Sequence, residues 1–440
     1  MRSVAAVVGV VVMLGLVVML GLAPGALARS HAHVHAPAHA PRLLPAPNSS
    51  AERSLTSGLN QGMRQAGRYS GAYVIDLTAG QTLYAHNANT GRLPASVEKL
   101  YTTTTALQRF GPNGTLTTAA LGVGHMQGST YEGTLYLRGG GDPTFGAQSF
   151  DNTNYGTGAT IQQLVTNLVR DTGMTAFRGN VVADETIFDA DRGTPATGNR
   201  PSTEVEGELS GLAFDRGWYN LQGTVLDTHP ALDAGQELVT TLKAAGVRVL
   251  GRTRVTASRT PATATPLATV ASPPMATLLA LTNTPSDNFF AEMLLKDIGA
   301  RFGGGGTTAD GVAVVRAQIA KDFGIRPRFN DGSGLSRYDR TTPEQVVTLL
   351  RGMAGDSQFT GSLAVAGETG TLQDEMRHTY AQGRCRGKTG TLHDVSNVVG
   401  YCQARDGHTL VYAVMMNGID PDYAHPIQDR MLVDVAKYAG

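Results

Sequence analysis

The chain has 440 residues and balances 36 Lys and Arg against 36 Asp and Glu, so it carries no net field to attract nucleic acid or an anionic surface. Its 41% hydrophobic content is that of an ordinary globular protein, and its length suits two or three domains. The 54 glycines imply many turns and loops, and no fixed-period repeat accompanies them.

Residues 1–28 read as a signal peptide. Arg2 is a short positive region, Val4 to Leu22 is almost wholly apolar, Pro24-Gly25 breaks the run, and Ala26-Leu27-Ala28 is a small-x-small cleavage site. Export to the cell envelope, periplasm or exterior follows. If the segment were left uncleaved, its apolar run would be long enough to anchor the chain in a bilayer. Residues 29–50 read as a flexible tether rich in His, Ala and Pro, with His31, His33, His35 and His39. That histidine cluster implies no rigid metal geometry.

Gly71 to Ile75 and Thr82 to His86, separated by Thr78-Ala79-Gly80, read as a β-hairpin. A run without breakers, Ser96 to Phe110, follows Pro94-Ala95 and stops at Gly111-Pro112, which places Ser96 at a helix start. Residues 115–274 change character. Strand patterns at Gly133 to Leu137, Gly179 to Ala183 and Gly251 to Val255 mix with helical patterns at Ile161 to Arg170 and before Gly246. This stretch reads as an insertion between 51–114 and 275–440. Helical patterns return at Val312 to Phe323 and after Thr342-Pro343-Glu344. Three strand-like runs follow, around Gly383 to Thr389, Val395 to Cys402 and Thr409 to Met416, and an amphipathic helix from Pro426 to Tyr438 closes the chain. The order implies an α/β (α+β) sandwich, with a mostly antiparallel sheet under covering helices plus the inserted domain.

Lysine is scarce: the chain holds only Lys99, Lys243, Lys296, Lys321, Lys388 and Lys437. Lys99 closes Ser96-Val97-Glu98-Lys99, an S-x-x-K one helical turn long, which puts a hydroxyl and an amine on one face. A serine becomes nucleophilic at neutral pH beside a base, and a lysine serves once burial and a nearby cation lower its pKa. Lys388 is the candidate for that cation. It opens Lys388-Thr389-Gly390-Thr391, a K-T-G-T on a predicted strand whose glycine lets a ligand backbone approach. Ser286-Asp287-Asn288 lies between them; by itself an S-D-N can equally be a helix cap before Phe289. Each motif has a bland alternative, but the ordered triplet marks active-site-serine enzymes acting on D-alanyl peptides or β-lactams. In an exported chain, Cys385 and Cys402 are disulfide candidates if their runs form a hairpin turning near His393 and Asp394.

The chain resembles the class C low-molecular-mass penicillin-binding proteins, the D-alanyl-D-alanine carboxypeptidase and endopeptidase group. A long insertion between S-x-x-K and S-D-N is that group's hallmark. Further matches are Gly139-Gly140-Gly141-Asp142-Pro143, Asp331-Gly332-Ser333-Gly334-Leu335-Ser336, and Gly367 with Gly370-Thr371-Leu372. The resemblance implies a DD-peptidase-like transpeptidase fold and no metal or organic cofactor. It makes Ser96 the acylated nucleophile, Lys99 its base, and Ser286 and Lys388 the rest of the proton network. Asn288 would position the peptide, Thr389 and Thr391 would bind the terminal carboxylate beside Gly390, and the Ser96 and Thr391 amides would form the oxyanion hole. The implied partners are peptidoglycan stem peptides and β-lactams. Glu98 departs from the usual motif and is expected to point outward. The alternatives are a β-lactamase, against which no E-x-x-L-N segment follows the S-D-N, and a non-catalytic cell-wall binding or sensor module.

Overall fold

The structure, a computed structural model, describes residues 49–220 and 223–440; the signal peptide and nearly all of the tether lie outside the described residues. Ser50, the last residue assigned to the tether, instead opens a helix, Ser50–Ala66. The Ser49 hydroxyl accepts from the Glu52 amide and the Glu52 carboxylate accepts from the Ser49 amide, a capping box legible in the sequence as S-x-x-E. Leu55, Leu59 and Met63 share the buried face of this helix, which packs on the C-terminal helix.

The main sheet has six strands in the order Gln81–His86, Gly71–Asp76, Thr409–Asn417, Val395–Gln403, Cys385–Leu392 and Ala364–Val365. Every neighbouring pair is antiparallel. Helices cover both faces, so the central strand Thr409–Asn417 is buried along almost its whole length. Its side chains still alternate: Val411, Ala413 and Met415 enter one core, and Leu410, Tyr412, Val414 and Met416 enter the other. The two halves of the chain thereby close into one helix–sheet–helix sandwich.

Cys385 and Cys402 are direct partners in the antiparallel register and are joined by a disulfide, and the hairpin between them turns at His393 and Asp394. The final helix runs Pro421–Ala436 rather than starting at Pro426. Asp420 caps it and Pro421 takes the first-turn position where a missing N–H costs nothing, so Pro426 falls inside the helix.

Residues 117–271 supply a second, mixed sheet in the order Arg248–Val249, Ala176–Asp184, Thr130–Arg138, Thr117–Gln127 and Thr265–Ala271. Helices Ile161–Thr172 and Pro230–Ala244 pack their apolar faces on it. The strand expected from Gly251 begins only at Val255, because Gly251 sits at φ +75° in a turn. The second sheet's connections dock along helix Asn288–Phe302, which begins within the S-D-N. Buried Lys296 donates to Asp189 and to the Asp191 carbonyl. A Cβ on Gly141 would lie 2.2 Å from an Asp297 oxygen, so the triple-glycine loop nests there only because it has none.

Candidate active site

Ser96 lies in one turn of 3-10 helix, Ala95–Glu98, and the α-helix proper is Lys99–Phe110. The expected single helix is therefore tightened at its start. In 3-10 geometry residues i and i+3 eclipse, which brings the Lys99 Nζ and Ser96 Oγ to 2.8 Å. The sheet grips the segment just before Ser96. Asn397 Nδ2 donates to the carbonyls of Leu93 (2.9 Å) and Pro94 (2.8 Å), and Asn417 Oδ1 accepts from the Leu93 amide. Gly390 faces this segment from strand Cys385–Leu392, past the two residues that pair with Ala364–Val365: a Cβ there would sit 2.5 Å from the Pro94 carbonyl and 3.2 Å from the Ser96 nitrogen.

Lys99 is fully buried and donates to three acceptors: Ser96 Oγ, Asn288 Oδ1 (2.6 Å) and the Ser333 carbonyl (2.9 Å). Two of these can only accept. A neutral amine would spend its two N–H bonds on them and turn its lone pair to the Ser96 hydroxyl, as a general base requires. The Ser333 carbonyl is itself held in place. Glu292, one turn beyond Asn288 on the same helix face, accepts from the amides of Gly332 (3.0 Å) and Ser333 (2.8 Å). In the sequence Glu292 stands only as a β-lactamase base lying too near Asn288; its hold on this loop is invisible there, because its partners lie some forty residues downstream.

Burial lowers Lys99 to about 8, against the opposing pull of the Glu206, Asp287, Glu292 and Asp331 carboxyls. Burial, one of the two causes expected from the sequence, is thus the largest, and the nearby Lys388 amine interacts with the same site. Acylation of Ser96 should therefore rise with pH as Lys99 loses its proton and level off above about 8, measured as the labelling rate with a fluorescent penicillin.

Ser286, Asp287 and Asn288 serve both readings of the S-D-N at once. Asp287 caps the helix by accepting from the Phe290 amide, while its neighbours turn into the site. Ser286 adopts a left-handed φ of +71° and accepts from Lys388 Nζ at 2.6 Å. Lys388 is buried and also donates to the Thr389 carbonyl; burial, with Lys99 nearby, holds it well below its ordinary range. In the sheet register Lys388 and Gly390 face the Ser96 segment, whereas Thr389 and Thr391 pair with Val398 and Ser396 on the face of the C-terminal helix. Thr389 Oγ1 donates to Thr371 Oγ1 at 2.8 Å, and both line a cavity of about 120 Å³ with Thr391, Glu375 and Asp429.

Glu98 does not point outward. It is fully buried, both carboxylate oxygens lack hydrogen-bond partners, and burial with Asp339, Asp331 and Glu292 nearby raises it well above its ordinary value of 4.5. Sequence phase failed here because the 3-10 turn rotates Glu98 away from the α-helical position it would hold. Below the ordinary carboxyl range, folded and unfolded chains both hold the proton. As pH rises through that range the unfolded chain releases it first, so stability falls. Glu98→Gln should therefore raise the melting temperature at pH 8, with a gain of about 1–3 kcal/mol that shrinks toward pH 4. A pH series of thermal melts checks it.

Beside the site a larger cavity of about 750 Å³ is bounded by Leu392 from the K-T-G-T strand, Leu335 and Arg337 from the loop after Ser333, and Glu204 from the insertion. It has room for several residues of an extended peptide.

A serine paired with a buried lysine, an S-D-N turn and a K-T-G strand on an antiparallel sheet define a penicillin-recognising serine enzyme. The chain belongs to the D-Ala-D-Ala carboxypeptidase 3 (S13) family, whose sequence model matches residues 51–204 and 205–438. It is 30% identical to the D-alanyl-D-alanine carboxypeptidase of Actinomadura sp. (strain R39), over 83% of this chain and 81% of that one. It is 28% identical to a carboxypeptidase of Mycobacterium tuberculosis, over 79% of this chain and 76% of the other. Its fold matches penicillin-binding protein 4 of Haemophilus influenzae with a TM-score of 0.71, at 18% identity, covering 86% of this chain and 99% of that structure.

Proposed function

We propose that this chain is a serine D,D-peptidase that removes the terminal D-alanine from peptidoglycan stem peptides or cuts their D,D-crosslinks. The observation that carries this reading is the placement of Lys99, whose two fixed acceptors leave its third direction to Ser96. Ser96 Oγ bonds to the penultimate D-alanine carbonyl while its proton passes to Lys99. The amides of Ser96 and Thr391 take the oxyanion charge. The C–N bond then breaks, and the leaving amine takes its proton through Ser286, held against Lys388. Water attacks the acyl-enzyme, Lys99 again takes the proton, and Ser96 is restored. Asn288 holds the peptide, and Thr389 and Thr391 receive its terminal carboxylate.

A β-lactam would acylate the same serine, as the Haemophilus protein's structure with a bound β-lactam parallels. Glu292 is no spare base for rapid release of that adduct, because it is buried and engaged by two backbone amides. The intact hydroxyl–amine contact also speaks against a dead binding module. The insertion would be a separate folding unit, 115–274, and residues 1–28 would direct export to the cell wall, with a membrane anchor if they stay attached. Among the described residues no helix is long and apolar enough to cross a membrane. Defined monomeric and crosslinked muropeptides decide the activity: release of D-alanine or opening of crosslinks supports it, and intact products in both series overturn it.

A further inference from the structure

We infer that Arg216 of the insertion is a positioning residue for Asn288, so that the insertion sets the geometry of the catalytic amine; this rests on the D,D-peptidase reading above. The guanidinium is 5% exposed and makes a fork-to-fork pair with Asp287, Nη1 to Oδ2 at 2.6 Å and Nη2 to Oδ1 at 3.0 Å. Its Nε donates to the Glu206 carbonyl at 2.9 Å. The rings of Phe289, Trp218 and Phe290 surround it at 4.9, 5.1 and 5.7 Å. Asp287 is thereby gripped from the insertion while it caps the helix that starts at Asn288.

The same loop holds Asn288 directly. The Glu206 carboxylate accepts from the Asn288 amide N–H at 2.9 Å, and the Glu204 carbonyl accepts from Asn288 Nδ2 at 2.7 Å. A carbonyl can only accept and the lysine amine holds Asn288 Oδ1 on the other side, so one rotamer of the side-chain amide satisfies both. Loss of the Glu204 contact would free the amide to rotate and would remove an acceptor from Lys99. Trp218 Nε1 donates to the Glu206 carbonyl as well, so one carbonyl ties arginine, tryptophan and the Asn288 loop together. Glu206, Asp215, Arg216 and Ser286 all hold left-handed backbone at φ +65°, +48°, +60° and +71°. Non-glycine residues remain in that region only where their surroundings over-determine them. Four of them meet on the two sides of this one contact.

An ion pair that only docked the insertion would also bury Arg216, so the test must separate the two roles. Lysine at 216 keeps the charge but cannot span Asp287 and the Glu206 carbonyl with a planar fork. Fluorescent-penicillin acylation of Ser96 should slow about 10²-fold in Arg216→Lys. In an Asn288→Ala background the same change should cost nothing further, because the residue it acts through is gone. In Arg216→Ala the acid limb of the acylation profile should move to higher pH. Lys99 would then face Glu206 and Asp287 without their counter-ion, in addition to Glu292 and Asp331 and with Lys388 behind. Trp218 is the chain's one tryptophan, so a red-shifted emission in Arg216→Lys, with the melting transition retained, reports an opened clamp rather than an unfolded chain. Acylation of Arg216→Lys at the wild-type rate, or a penalty that persists undiminished in the Asn288→Ala background, overturns the inference. Failure of the wild-type protein to label at Ser96 overturns instead the D,D-peptidase reading on which it rests.

Discussion

Lys99→Met is expected to lose acylation by penicillin about 10³–10⁴-fold while the protein still folds. Methionine fills nearly the volume of the lysine stem, so the surrounding core is kept. What disappears is the one group within 2.8 Å of Ser96 Oγ able to take its proton. The nearest other amine, Lys388, is committed to Ser286 and the Thr389 carbonyl. The loss of two hydrogen bonds also leaves Asn288 Oδ1 and the Ser333 carbonyl without their donor, so some destabilisation accompanies the kinetic effect. Burst labelling at saturating penicillin separates the two, since stability sets the amplitude and the base sets the rate. A variant that labels within tenfold of wild type would remove Lys99 from the role of base.

Gly390→Ala is expected to lower acylation about 10²–10³-fold, the cost of displacing an oxyanion-hole donor. The added methyl would sit 2.5 Å from the Pro94 carbonyl and 3.1 Å from the Val97 nitrogen, both backbone atoms that cannot swing aside. Asn397 holds that same Pro94 carbonyl from the neighbouring strand, so the nucleophile turn is pinned on one side and pushed on the other. The strand edge must retreat, and the spacing between the Ser96 amide and the K-T-G-T backbone widens. Gly390 is at the open edge, so the fold should tolerate the shift. The measurement is the second-order acylation rate alongside a thermal melt; an unchanged rate would mean that the strand does not help to form the oxyanion pocket.

Much of this was legible in the residue order. Ser96, Lys99, Ser286, Asn288 and Lys388 announce themselves because their chemistry lies in short windows, and a window of four residues has nearly one geometry once it is helical. The hairpin at 71–86 and the three C-terminal strands are legible for the same reason, since alternation and turn residues are local. Glu98 was misread because three-residue spacing was judged on an α-helical wheel, whereas Ala95–Glu98 turns as a 3-10 helix. The final helix starts at Pro421, five residues before the expected Pro426, because Asp420 supplies the cap and the helix accommodates Pro426 within its first turns.

The sequence by itself determined the proposed reacting groups, their order along the chain and the elements that carry them, because those follow from side-chain chemistry and near-neighbour periodicity. Only the tertiary structure decided what surrounds them. Glu292 accepts from the Gly332 and Ser333 amides forty residues away, Asn397 reaches the Pro94 carbonyl across three hundred, and Arg216 grips Asp287 from the insertion. Nothing in a local window encodes such distances; they arise when packing carries separate elements into one dry pocket. The proton affinity of Lys99 belongs to that pocket too, since it is set by the water that folding removes.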